Sequence, residues 1–155
     1  MFHHADARVR SMRLACGDRD LVRAIFLMMA DVFEEPARPL TDAYIDRLLA
    51  RVDFWLVAAF VGDELAGGIT AHTLPMTRGE TAELFIYDVA VRKQYQRMGV
   101  GRQLLSATCQ LAAESGIPLA FVAAENLDAH ALDFYRSLGG KGSSVTLFVF
   151  ERAGA

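Results

Sequence analysis

The stretch LFIYDVAVRKQYQRMGVGRQLL, Leu84–Leu105, runs apolar, then basic, then glycine-punctuated, then apolar again. Leu84 to Val91 is aliphatic and aromatic apart from Asp88, which predicts a strand. From Val100 the apolar positions fall at helical spacing as far as Ser115, with Gly116 as the stop. Between strand and helix stand Gly99 and Gly101, where backbone N–H groups can approach a ligand closely. A helix N-terminus adds unpaired donors and the positive end of its dipole. Arg92, Lys93, Arg97 and Arg102 surround this junction with positive charge. Such a strand–loop–helix unit suits an anion, and phosphate is its natural guest.

Two common phosphate loops fit poorly. A P-loop needs GxxxxGK followed by Ser or Thr, and the chain has no such run. A dinucleotide fingerprint started at Gly99 puts Leu104 where its third glycine belongs, although Glu125 mimics the ribose-binding acid.

Working outward, Ala7–Cys16 alternates and predicts a first strand. Asp20–Glu35 predicts a helix with Leu21, Ile25, Met28, Met29 and Phe33 inward, capped by Asp18 or Asp20 and stopped by Pro36 and Pro39. Leu40–Asp53 predicts a second helix, capped by Thr41, with Tyr44, Leu48 and Leu49 on one side. Phe54–Pro75 holds two apolar runs about Gly62-Asp63-Glu64, a hairpin signal. Pro118–Glu125 is a short apolar strand. Leu127–Gly140 is a helix with Asp128 as cap and Gly139 as stop, and Ser143–Glu151 a last strand. The order β-α-α-β-β-β-α-β-α-β predicts one α/β domain over residues 1–155, its mixed sheet antiparallel in the first half with a parallel pair in the second.

Composition narrows the function. With 155 residues, 53% hydrophobic, the chain is long enough to bury a core without disulfides. A net charge of −3 disfavours nucleic acid, which wants a basic face. Cys16 and Cys109 lack metal-ligand spacing, so no metal is expected, and Cys109 reads as a small packing residue. No apolar run approaches the ~20 residues that cross a bilayer, so the expectation is a cytoplasmic protein that does not use a membrane.

QRMGVG, Gln96–Gly101, matches the Q/R-x-x-G-x-G/A signature of the GCN5-related N-acetyltransferase (GNAT) superfamily. Downstream Asn126, Ala129 or Ala131, Phe134, Tyr135, Leu138 and Gly139 follow its N-x-x-A-x-x-F-Y-x-x-L-G pattern with looser spacing. The chain resembles that superfamily over nearly its whole length in element order. The resemblance implies a twisted mixed sheet flanked by helices, with strands splayed at an acetyl-CoA site. The pyrophosphate would lie on the amides of Met98, Gly99, Val100 and Gly101, with Gln96, Arg97 and Arg102 beside it. The pantetheine would follow Val89, Ala90 and Val91, with the Val89 amide polarising the thioester carbonyl. Asn126 matches a CoA-contacting position, and Tyr135 matches the general acid toward the CoA sulfur.

An amine must lose a proton before it attacks, so a general base is needed. Asp88 is the first candidate and Glu83 the second. Within the superfamily the chain is similar to the type I aminoglycoside 3-N-acetyltransferases, through Trp55–Pro75, Glu83–Val91 with Tyr87, and Phe134–Gly139. That likeness implies a polycationic aminoglycoside acceptor, acetylated on the 3-amino group of 2-deoxystreptamine in a reaction that confers antibiotic resistance. It places Asp31, Glu34, Glu35, Asp53, His72, Glu83, Tyr87, Asp88 and Glu151 on the acceptor side. His72 departs from those enzymes, which carry a tyrosine there. Another small amine, a polyamine or a protein N-terminus is the alternative acceptor. A homodimer is expected, with the apolar last strand extending a sheet between chains.

Overall fold

In the computed structural model, residues 9–154 are described. Their elements follow in the order β1 (Val9–Arg13), α1 (Arg19–Val32), α2 (Asp42–Leu49), β2 (Phe54–Val61), β3 (Glu64–Pro75), β4 (Ala82–Val91), α3 (Val100–Glu114), β5 (Leu119–Val122) and α4 (Ala129–Ser137). A 3₁₀ turn, Lys93–Tyr95, lies between β4 and α3. Ala7 and Arg8, the start of the expected first strand, lie outside the described residues, which take up that strand at Val9. The chain divides after Ala123 into two compact units.

The first unit is a five-stranded sheet in the order β1-β2-β3-β4-β5. The first four strands run antiparallel and β5 lies parallel to β4, as the element order predicts. Interior strand β2 is apolar on both faces because both faces are covered. Phe54, Leu56, Ala58 and Phe60 pack with Val22, Ile25, Met28 and Met29 of α1 and Ile45 of α2. Trp55, Val57 and Ala59 pack on the other side with Val100, Leu104 and Ala112 of α3.

Helical phase refines the expected core. In α1 the inward set is Val22, Ile25, Met28 and Met29; Leu21 is only partly buried, and Phe33 follows the last helical residue and is exposed. In α2 it is Ile45 that is fully buried, while Tyr44 turns outward. Thr41 caps α2 by accepting the Tyr44 N–H at 3.2 Å. Cys109 is exposed, on the turn of α3 after buried Thr108, so it is not a packing residue.

Two adjacent glycines in β3 admit their neighbours. A Cβ on Gly67 would stand 2.7 Å from the Ala90 carbonyl oxygen of β4, which is backbone and cannot swing aside. A Cβ on Gly68 would meet Ile25 Cγ2 and Met29 Cε of α1 at 2.9 and 3.1 Å; the methionine end is flexible, the isoleucine methyl is fixed on a branched Cβ.

In the second unit Asp128 caps α4 by accepting the Ala131 N–H at 2.9 Å, and Gly139, at φ 89°, ends the turn. The strand expected over Ser143–Glu151 is absent: residues 140–152 carry no regular structure. A strand exists only through a neighbour's hydrogen bonds, and the described residues of this unit contain no other strand. Val145, Leu147, Phe148, Val149 and Phe150 are left 71% to 93% exposed.

Gly67→Ala is expected to cost about 1–3 kcal/mol through a clash with fixed backbone. Gly68→Ala is expected to cost less, because its nearest contacts are side chains of α1, which can give by a few tenths of an ångström, and not strand backbone. Urea midpoints of the two variants measure the difference, and equal midpoints would show that β4 yields as easily as α1.

Candidate active site

The site begins with a mismatch between β3 and β4. Thr70 stands opposite Asp88 and Ala71 opposite Ile86, so Tyr87 is an extra residue, a β-bulge on β4. Before the bulge, Leu84 and Ile86 pack into the α3-side core; after it, Val89 and Val91 do. The period-2 alternation has slipped by one. Tyr87 is 64% exposed as a result.

The bulge also marks where β5 stops. The parallel ladder joins Glu83–Ile86 to Leu119–Val122 and goes no further. Beyond it, the Asp88 N–H donates to Thr70 Oγ1 at 3.2 Å and the Arg92 N–H to the Ala66 carbonyl at 2.8 Å, both toward β3. Successive strand N–H groups alternate in direction, so those of Val89 and Val91 point the other way, where the β5 ladder has ended. This is the splayed geometry expected from the sequence.

Past Val91 the chain turns into a loop whose backbone could hold an anion. Arg97 and Gly99 both have positive φ, 62° and 79°, with Gly99 as the residue before α3. Gln103 is the first α3 residue to find a helical partner, donating to the Gly99 carbonyl at 3.0 Å. Among the described residues, no protein group accepts from the N–H groups of Arg97 through Arg102. Nor does Arg92, Lys93, Arg97 or Arg102 form an ion pair there. Free amides, a helix dipole and unpaired cations suit a pyrophosphate, and Met98, Gly99, Val100 and Gly101 are the residues that would hold it.

Two side chains shape this loop from within. Gln96 donates through Nε2 to the Val91 carbonyl at 3.0 Å, so it braces the loop. The Tyr95 hydroxyl donates to Glu64 at the start of β3. That bond, with burial, pushes the Tyr95 phenol above its ordinary value.

Asp88 is half-buried, and its Oδ2 accepts from Thr70 Oγ1 at 2.5 Å. Glu83 is five residues away along β4, roughly 15 Å at ~3.3 Å per residue, so the strand does not bring the two acids together. Asp31, Glu34 and Glu35 are exposed at the end of α1. Asp53 is held by Arg51, whose Nη2 and Nε approach at 2.7 and 2.9 Å and keep its carboxyl below the usual range.

The acids therefore form no common cluster among the described residues of the first unit. What the sheet does gather is aromatic: Phe54, His72, Tyr87, Phe85 and Phe121 form a chain of ring contacts, with centroids 5.5, 6.1, 5.6 and 4.9 Å apart. These rings come from four strands, so only the register reveals the row. Beside it a cleft of about 570 Å³ is lined by Tyr44, Arg47, Leu48, Arg51, Phe54 and His72.

In the second unit Tyr135 lies on α4 with Phe134 at 5.2 Å. Burial, then the charge of Asp128, pushes its phenol above the ordinary value. Asn126 and Glu151 are exposed. A raised phenol stays neutral to higher pH than in the unfolded chain. Its contribution to stability is full below the ordinary value of about 10 and is lost as pH rises through the folded value. Alkaline ultraviolet titration of the protein against Tyr135→Phe is expected to assign the variant's missing phenol to an ionisation above about 10. A midpoint at or below that value would contradict the buried setting.

Comparison with known proteins matches these features. The acetyltransferase (GNAT) family model matches residues 21–139. An uncharacterized N-acetyltransferase of Bacillus subtilis (strain 168), YvbK, is 30% identical over 126 residues, covering 81% of this chain and 72% of that protein. The crystal structure of an aminoglycoside acetyltransferase from an uncultured soil metagenomic sample, meta-AAC0020, superposes with a TM-score of 0.85 at 30% identity, over 93% of this chain and 97% of its own. The same enzyme in complex with sisomicin gives 0.85 at 29%, with the same coverage of both chains. With its signature loop, its split sheet and this family match in agreement, the chain belongs to the acetyltransferase (GNAT) family.

Proposed function

We propose that the protein transfers the acetyl group of acetyl-CoA to an amine of an aminoglycoside, with the 3-amino group of 2-deoxystreptamine as the acceptor. The observation that carries the transfer is the run from Asp88 to Arg102: outward N–H groups where β5 ends, then a loop of free amides and cations. The likeness to an aminoglycoside acetyltransferase crystallised with sisomicin supports the acceptor class.

In this reading the amides of Met98 to Gly101 hold the pyrophosphate. Val89 to Val91 pair with the pantetheine as a strand would. Asp88 takes a proton from the acceptor ammonium, freeing the nitrogen lone pair that forms the new C–N bond. The Val89 N–H stabilises the charge that gathers on the acyl oxygen. The family resemblance assigns to the Tyr135 phenol the proton that the sulfur takes as the C–S bond breaks, and the second proton lost by the nitrogen restores that phenol.

A second reading rests on the cleft beside His72. Its charged lining is Arg47 and Arg51, and Arg51 is already paired with Asp53. Arg47 favours an amine that also carries a negative group.

The test is release of free CoA thiol from acetyl-CoA with sisomicin, gentamicin, spermidine and a carboxylate-bearing amine as acceptors. Turnover on the two aminoglycosides is expected, with the modified nitrogen then mapped by NMR. Turnover on spermidine or the carboxylate-bearing amine alone would overturn the aminoglycoside reading. Asp88→Asn is expected to lower kcat by about 10²–10⁴-fold, with acetyl-CoA affinity nearly intact by calorimetry. Undiminished turnover would remove Asp88 as the base.

A further inference from the structure

Thr70 is the residue that nothing in the motif points to and that the site depends on. It is 6% exposed, in the middle of β3. Its flanking residues Ile69 and Ala71 pack into the α3-side core, so its own side chain takes the opposite face. There one hydroxyl meets Asp88 twice. Oγ1 donates to Asp88 Oδ2 at 2.5 Å and accepts the Asp88 N–H at 3.2 Å. Among the described residues Oδ1 of Asp88 has no protein partner.

We infer that Thr70 is a positioning residue for the base: it fixes the rotamer of Asp88, occupies Oδ2, and leaves Oδ1 to receive the acceptor's proton. This rests on the assignment of Asp88 as the base. The double contact explains why a threonine suits the place. Asp88 is the first paired residue after the bulge, and a hydroxyl opposite it that both donates and accepts sets backbone and side chain together. Valine has the same shape and can do neither. A hydrogen bond to a charged group is worth enough to shift turnover about tenfold or more when it is lost.

The experiment is a double-mutant cycle on the full chain, with whichever of sisomicin and spermidine is turned over. Thr70→Val is expected to lower kcat about tenfold while leaving KM for acetyl-CoA within twofold, and Thr70→Ser to recover most of the loss. In the Asp88→Asn background, Thr70→Val is expected to cost little more, because the group it positions is already disabled. A full loss added on top of Asp88→Asn, or a normal kcat in Thr70→Val beside a slow Asp88→Asn, would overturn the role of Thr70 alone. A fast Asp88→Asn would overturn the base assignment and this inference with it. An arm that needs no acceptor is amide hydrogen exchange at Asp88. It is expected to quicken in Thr70→Val and to stay slow in Thr70→Ser, and equal rates in all three proteins would overturn the contact.

Discussion

The antiparallel pairing of β3 with β4 carries one residue too many on the β4 side, and the geometry of the first unit's site follows from it. With Tyr87 left over, Leu84 and Ile86 fill the α3-side core before the bulge and Val89 and Val91 fill it afterwards. Without the slip, Asp88 would share the parity of Leu84 and Ile86 and face that apolar core, where an ionised carboxylate would be costly. The bulge thus lets one strand stay apolar toward the core and still present an acid opposite Thr70. It also coincides with the end of β5, so β4 is paired on both sides below the bulge and on one side above it. An extra residue bends and twists its strand, which suits the parting of two neighbours at that point.

Strand and loop share a single chain direction, and that ties the chemistry together. The same residues that leave the ladder, Val89 to Val91, lead in a few steps to the amides and cations before α3. Glu64 and the Val91 carbonyl hold this loop through Tyr95 and Gln96. The helix behind it is anchored by Val100 and Leu104, both buried against the sheet. Exposed amides at a helix start are hydrated, so a ligand that takes them exchanges with water rather than with protein partners.

The acceptor side follows a different logic. Acids suit a polycation, yet what the sheet assembles is a row of aromatic rings, and Asp53 is engaged by Arg51. Aromatic faces offer a broad apolar contact for the less polar face of a ring system, while charge selects among acceptors. In the proposed reading, acceptor choice turns on the balance between Arg47 and the exposed acids at the end of α1.

Much of this is written in local residue order. The signature Gln96–Gly101, the apolar strand before it and the helix after it are contiguous, so spacing alone discloses this strand–loop–helix unit. The caps Thr41 and Asp128 are legible for the same reason, because a cap bonds within a few residues. Ile25, Met28 and Met29 face inward as their spacing predicts, while Val22 replaces Leu21 and Ile45 replaces Tyr44, since helical phase depends on what the helix is packed against. Ser143–Glu151 has strand-forming residues but no strand, because a ladder needs a partner that composition does not supply. Thr70, the aromatic row and the bulge at Tyr87 are products of register, which brings Thr70 to Asp88 across 18 positions of chain. Neighbours along the chain are enough to give the family, the element order as far as α4 and the loop before α3. Which hydroxyl meets Asp88, and which way each N–H of β4 points, came only with the folded sheet, because both depend on how two strands align.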